Sequence, residues 1–191
     1  MKMIQTCIPD VVIIESQVFE DERGWFMESF NEQRFHKELK KLNLPIPRPF
    51  VQDNHSCSKK GVMRGLHYQL LPHAQGKLVR VTHGAVFDVA VDIREGSPSF
   101  GQHVSIELSA SNRKTLWIPE GFAHGFVALE DDTHFHYKTT NYYTRHCEAA
   151  IRWNDPRLKI DWPNDQLLVI SQKDSEAPFL DELAGFLNES H

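Results

Sequence analysis

At 191 residues, with 40% hydrophobic and 25% charged side chains, the chain is long enough to bury a core of its own and too mixed in composition to be disordered or fibrous. Its net charge of −5 lacks the basic excess of a nucleic-acid binder, while leaving room for an anionic ligand in a local basic pocket. Cys7, Cys57 and Cys147 are odd in number, widely spaced and without a CxxC pair, which argues against a disulfide framework or a zinc ribbon and fits a reducing cytoplasm.

The chain opens on "MKMIQTCIPD", which is polar and carries Pro9. "VVII" at 11–14 is too short for a signal-peptide core, and no apolar run approaches the roughly 20 residues of a membrane helix. The expectation is a cytoplasmic protein with no membrane partner. From there most of the chain reads as short strands: "VVIIESQVF", "GWFMES", "FVQDNHS", "VMRGLHYQ", "KLVRVT", "AVFDVAVDI", "HVSIELS", "TLWIP", "GFVALE" and "HFHYKTTNYY". These runs are rich in β-branched or aromatic residues, and Gly, Pro, Asn or Asp fill many of the gaps, so the pattern predicts an all-β sandwich or barrel. "FDVAVDI" shows the period of two, with Phe87, Val89, Val91 and Ile93 on one face and Asp88, Ala90 and Asp92 on the other.

Two helices interrupt the strands. Asn31 caps "EQRFHKELKKL", in which Phe35, Leu39 and Leu42 recur at helical spacing, and "PIPRP" ends it. Near the C-terminus "APFLDELAGFL" places Pro178 at a helix start and Leu180, Leu183 and Leu187 on one face. No repeat divides the chain, so a single domain over 1–191 is expected.

The stretch "GVMRGLHYQ", residues 61–69, carries the first sign of chemistry. Strict alternation would send Arg64 and His67 to opposite faces. A bulge at Gly65 adds one residue and turns both into one cavity. The plain alternative is an irregular strand with a solvated Arg and a hydrogen-bonded His. Polar side chains in other strands support the cavity: Gln52, Asn54 and Ser56 alternate against Val51, Asp53 and His55, and His134, His136 and Lys138 against Phe135, Tyr137 and Thr139. A barrel interior with this much hydrogen-bonding capacity suits a ligand.

Eleven histidines raise the question of a metal. Metal-binding jelly rolls use an HxH pair followed by a carboxylate, but the first candidate reads His67-Tyr68-Gln69. "HFH" at 134–136 has no acid after it before Glu148. No metal and no cofactor are expected. Histidine is a usable base near its ordinary pKa of roughly 6.5, tyrosine near about 10 can return a proton, and lysine can stabilise an oxyanion. Together they suit proton abstraction beside a carbonyl, and an arginine suits a phosphate.

"FEDERGWFMESF", "FVQDNHSCSKKGVMRGLHYQ", "QGKLVRVTHGAVFDVAVDIR", "SPSFGQ", "LWIPEGFAHGFVAL" and "YKTTNYY" closely resemble the dTDP-4-dehydrorhamnose 3,5-epimerase family, over about residues 8–181. The resemblance implies a cupin-like jelly roll, with a core over about 11–153 and a C-terminal helical extension over about 173–188. It also implies a homodimer without metal or organic cofactor, and a nucleotide-sugar substrate, dTDP-4-dehydro-6-deoxy-D-glucose, inverted at the two carbons flanking its ketone in dTDP-L-rhamnose synthesis. On matching positions it makes His67 the base, Asp174 its orienting partner, Tyr137 the acid on the opposite face and Lys77 the stabiliser of the enolate. Arg64 matches a sugar and phosphate contact, Gln52, Asp53, Asn54 and His124 line the site, and Tyr143 matches the thymine-stacking residue. Glu148 and Lys173 match binding positions, and Arg23 and Glu28 match residues donated to the neighbouring subunit.

The chain departs from the family at His134 and His136 and in "TRHCEAA", where Arg145, His146 and Cys147 replace the usual Ser and Pro residues; these changes bear on loop shape and pH response. A mono-epimerase or ketoisomerase acting on the same sugar would use the same base and acid. A metal-dependent cupin enzyme and a non-catalytic nucleotide-sugar-binding sandwich are the readings from other classes.

Overall fold

The computed structural model describes residues 1–163 and 168–182. Its strands form two sheets and a separate hairpin. The first sheet runs in the order β1 (Lys2–Gln5), β2 (Val12–Glu15), β10 (Thr115–Ile118), β7 (Lys77–His83), β12 (Thr133–Thr139), β5 (Gln52–Ser58). The second runs β13 (Glu148–Ala150), β6 (Val62–Gln69), β11 (Phe122–Ala128), β8 (Ala85–Asp92), β9 (His103–Ser109), with β14 (Val169–Ile170) added parallel to β6. The architecture is the expected cupin-like β-sandwich. Among the described residues, β3 (Val18–Asp21) and β4 (Gly24–Met27) pair only with each other.

Alternation places the core. Val79, Val81, Val86, Ala90, Leu108, Leu116, Phe126 and Phe135 fill the space between the sheets. The opposite faces are also covered. Met63, Leu66, Val89 and Val91 of the second sheet pack under Ile151, Leu158 and Trp162, which follow the last large strand. Val12, Ile14, Leu78 and Trp117 of the first sheet pack under α1 (Glu32–Lys41). Asn31 caps this helix as expected, accepting from the Arg34 N–H at 3.0 Å, and Phe35 and Leu39 are its buried residues. Truncating Phe35 to alanine would remove a ring that packs edge-on against Trp117, at an expected cost of about 3–5 kcal/mol.

Several boundaries differ from the sequence pattern. "MKMIQ", which is not among the expected strands, forms β1 because Met3 lies opposite Ile14 at the sheet edge and joins the apolar cluster under α1. "VVIIESQVF" breaks between β2 and β3, so its second half leaves the sheet for the hairpin. "HFHYKTTNYY" stops being strand at Thr139, leaving Tyr142 and Tyr143 in a loop. At the C-terminus a four-residue helix, α2 (Gln172–Ser175), precedes helical backbone at 180–182. The rest of the predicted C-terminal helix, with Leu183 and Leu187, lies outside the described residues.

Candidate active site

The bulge that "GVMRGLHYQ" suggests is present. β11 pairs His124 with His67 and Phe126 with Arg64, so two steps along β11 span three along β6. Gly65 supplies the extra residue at φ +123°, where a side chain would be strained, and an added Cβ would lie 2.5 Å from the Gly125 Cα. The two glycines let the strands approach at this point. As a result Arg64 and His67 line one cavity of about 540 Å³ at the polar end of the sandwich interior, together with Lys77, His124, Tyr137 and Asp174.

His67 is held from below. Its Nε2 lies 2.6 Å from Asp174 Oδ1, and the other Asp174 oxygen accepts from the Gly65 N–H at 3.4 Å. Asp174 arrives from α2, whose first turn is set by the Ser171 side chain accepting the Asp174 N–H at 3.1 Å. Burial alone would push this carboxyl up, but its bonds to His67, Gly65 and Ser171 and the charge of His67 outweigh it and hold the carboxyl below its ordinary value. An ionised carboxylate only accepts, so the hydrogen of a neutral imidazole sits on Nε2 and Nδ1 keeps a lone pair. That leaves one nitrogen free to take a proton.

Two further groups set the electrostatics. Lys77 is buried on β7 and donates to the His67 carbonyl at 3.1 Å. Burial pushes its ammonium down to about 8, while the charges of Asp88 and Glu148 pull it back up, so it remains cationic at neutral pH. His124 is buried on β11 with Nε2 2.9 Å from Asp88 Oδ2. Burial holds it below its ordinary pKa despite the charge of Asp88, so it stays neutral and donates to that carboxylate. Asp88, which holds His124 in place, therefore belongs to the site. Alternation had already set it with Ala90, on the face that proves to be the barrel interior. Asp92, on the same face, is bonded to Arg94, Ser97 and Ser99 and is structural.

Tyr137 enters from the other wall, because β12 lies in the first sheet and β6 in the second. Burial raises its phenol above the ordinary value, against the charge of Arg64, so it holds its proton at neutral pH. A flat sugar enolate between the walls would meet His67 on one face and Tyr137 on the other.

The remaining predicted residues divide. Arg64 reaches Ser58 Oγ at 3.1 Å, and Tyr143 donates to Glu148 Oε2 at 2.9 Å, with Lys173 bridging to the same oxygen at 2.6 Å; all but Ser58 line the cavity. Asn54 lies opposite Tyr137 in the ladder, and its Nδ2 is buried without a hydrogen-bond partner among the described residues. Gln52 ties the loop instead, accepting from the Tyr143 N–H at 2.9 Å and donating to Asn54 at 3.0 Å. Asp53 is not brought to the cavity: alternation turns it to the outer face, where it pairs with Lys138 at 2.7 Å. Arg23 and Glu28 also lie outside this subunit's cavity. Arg23 pairs with Asp21 on the exposed hairpin, and Glu28 pairs with Arg34 at 3.2 Å.

Comparison with known proteins agrees with this geometry. The family model described as dTDP-4-dehydrorhamnose 3,5-epimerase matches residues 5–182. The Salmonella typhimurium dTDP-4-dehydrorhamnose 3,5-epimerase is 56% identical, covering 95% of this chain and 97% of its own. The Escherichia coli protein of the same name is 55% identical, covering 96% of each. A Legionella pneumophila dTDP-6-deoxy-D-glucose-3,5-epimerase, solved in complex with dTDP-4-keto-L-rhamnose, superposes with a TM-score of 0.90 at 48% identity over 97% of this chain and 96% of that one. With this degree of likeness along nearly its whole length, the chain belongs to the dTDP-4-dehydrorhamnose 3,5-epimerase family.

Proposed function

We propose that the cavity inverts carbons 3 and 5 of dTDP-4-dehydro-6-deoxy-D-glucose, with His67 as base, Asp174 as its orienting partner, Lys77 at the ketone oxygen and Tyr137 as acid. His67 Nδ1 takes the proton from the carbon beside the ketone, and the C–H electrons form the enolate C=C as the negative charge moves to oxygen. The Lys77 ammonium stabilises that charge in a partly dry site. Tyr137 gives its proton to the carbon on the opposite face, and solvent restores both groups before the second carbon reacts. No electrons leave the substrate, so proton transfers alone complete the reaction. The observation that carries this reading is the entry of His67 and Tyr137 from opposing sheets. Proton NMR of the product formed in deuterium oxide should show one deuteron at carbon 3 and one at carbon 5. Incorporation and inversion at only one of them would make the chain a mono-epimerase.

The polyphosphate end is read the same way. Arg64 and Lys173 supply cations, the unpartnered Asn54 amide supplies a donor, and Tyr143 offers a ring for the base. A homodimer completes the site in this reading. The hairpin exposes Phe19, Trp25 and Phe26 at 55%, 53% and 69%, and an isolated two-stranded hairpin is marginal unless something packs on it. A second copy of the chain is the proposed cover, with Arg23 and Glu28 reaching its cavity. Mixing Arg23→Ala and His67→Ala subunits should restore activity to hybrid dimers, which carry one intact site; no rescue despite proven exchange would count against the shared site. Free cysteines at 7, 57 and 147 fit a cytoplasmic setting, and no described helix is long and apolar enough to cross a membrane.

A further inference from the structure

The loop where the chain departs from its family folds into a cluster of ligating side chains that the epimerase chemistry does not use. His73 lies in the loop after β6, and His146 and Cys147 lie in the 3₁₀ turn Arg145–Cys147 just before β13. One imidazole nitrogen from each histidine and the Cys147 Sγ lie within 4.8 Å of one another. We propose that these three side chains form a zinc-type metal site that clasps the two loops at the rim of the cavity.

The donor set selects the class of ion. Two imidazoles and a thiolate suit zinc, cobalt and related borderline cations, whereas calcium and magnesium want oxygen ligands. Zinc–ligand bonds of about 2.0–2.3 Å would set the ligand atoms roughly 3.3–3.8 Å apart, leaving a fourth tetrahedral position open. Closing the cluster to that size asks for a small rotation of His146, which is exposed and free to make it, while His73 is half-buried and Cys147 buried. The rings of His73 and His146 already stand at 81° with centroids 6.0 Å apart, so they do not stack flat and present their edges differently.

The backbone holds two of the ligands in place before any ion arrives. The Leu70 N–H donates to the Cys147 carbonyl at 2.8 Å and the His73 N–H to the Leu70 carbonyl at 2.9 Å. Gln69 spans the same junction, donating to the carbonyls of His73 at 2.6 Å and Tyr142 at 3.1 Å and accepting from the Thr144 N–H at 2.6 Å. A metal would therefore strengthen a junction the fold already makes. Binding forms an S–metal bond and releases the thiol proton to water, so affinity rises with pH. Because Tyr143 and Glu148 flank the turn and line the cavity, an occupied site should alter KM more than kcat.

The test starts from chelator-stripped protein titrated with cobalt(II) and then zinc. One equivalent of cobalt should give thiolate-to-cobalt charge-transfer absorption that zinc abolishes, and zinc should raise Tm. Cys147→Ser should lose the absorption. His146→Ala, at an exposed position that does not threaten the fold, should weaken cobalt binding at least tenfold while epimerisation in chelator matches the parent. Absence of the absorption in the parent, its survival in Cys147→Ser, or unchanged affinity in His146→Ala would overturn the site.

Discussion

His67–Asp174 and His124–Asp88 are the same chemical pair in one cavity, built to opposite ends. In both an imidazole Nε2 meets an aspartate oxygen, at 2.6 Å and 2.9 Å respectively. The His67 side chain keeps 32% of its surface exposed to the cavity, whereas that of His124 keeps 7%. Exposure leaves His67 with a nitrogen that can reach a substrate. Burial keeps His124 neutral and leaves the Asp88 charge facing Lys77. In the proposed mechanism one pair moves a proton and the other holds a charge, and the surroundings rather than the residue types assign the roles.

The largest test of that division removes the exposed imidazole and the opposing acid in turn. His67→Ala should abolish both solvent exchange into the substrate and inversion, a loss on the order of 10³-fold or more. Tyr137→Phe should separate the two events. It keeps the base and Lys77, so deuterium should still wash in while inversion nearly stops, because only His67 or water can reprotonate the enolate. Proton NMR in deuterium oxide reads both. Exchange that persists in His67→Ala would mean that His67 is not the base.

Asp174→Asn should have the next largest effect. The amide can donate to Nε2 and so favour the tautomer with hydrogen on Nδ1, which leaves no lone pair toward the substrate. The Asp-to-Asn change in serine-protease triads acts by the same tautomer error, and a loss on the order of 10²–10⁴-fold in kcat is expected. An Asp174→Asn enzyme within a few fold of the parent would show that the 2.6 Å contact orients nothing.

How far these pairs were legible in the sequence follows from how local their causes are. The Gly65 bulge was legible, because one glycine between an arginine and a histidine in a strand is a short-range signal. The α1 cap and its buried Phe35 and Leu39 were legible for the same reason. Asp174 was not: it stands 107 residues from His67, and only the resemblance joined them. Asp88 carried a usable sign in the alternation of "FDVAVDI", but its meaning depended on which face became the barrel interior. Asp53 shows the reverse, since the alternation that set it apart from Gln52 and Asn54 described its outward position, and the residue-by-residue likeness to the family did not. β1 was missed because its pairing with β2 rests on a tertiary edge that no local pattern announces.

The smallest expected effect is the most specific to the buried pair. If the reaction needs Lys77 as a cation, kcat/KM should fall as pH rises through its value of about 8. The stability trend has the opposite sign. Lys77 binds its proton less tightly in the folded chain than at its ordinary 10.5, so between about 8 and 10.5 the unfolded chain holds more protons, and this group makes folding more favourable as pH rises. Activity that falls where this contribution to Tm grows cannot be ascribed to Lys77-linked unfolding. Asp88→Asn removes a charge that raises Lys77, so the alkaline limb should move below pH 8, with only a modest change in the plateau rate. Tyr137 is the other group able to limit activity in base, but burial, Arg64 and Glu148 set its shift and Asp88 does not, so a Tyr137 limb would stay in place. A pH profile of kcat/KM for the parent and Asp88→Asn therefore decides between them: a displaced limb ties the buried pair to Lys77, and an unmoved one reduces His124–Asp88 to packing.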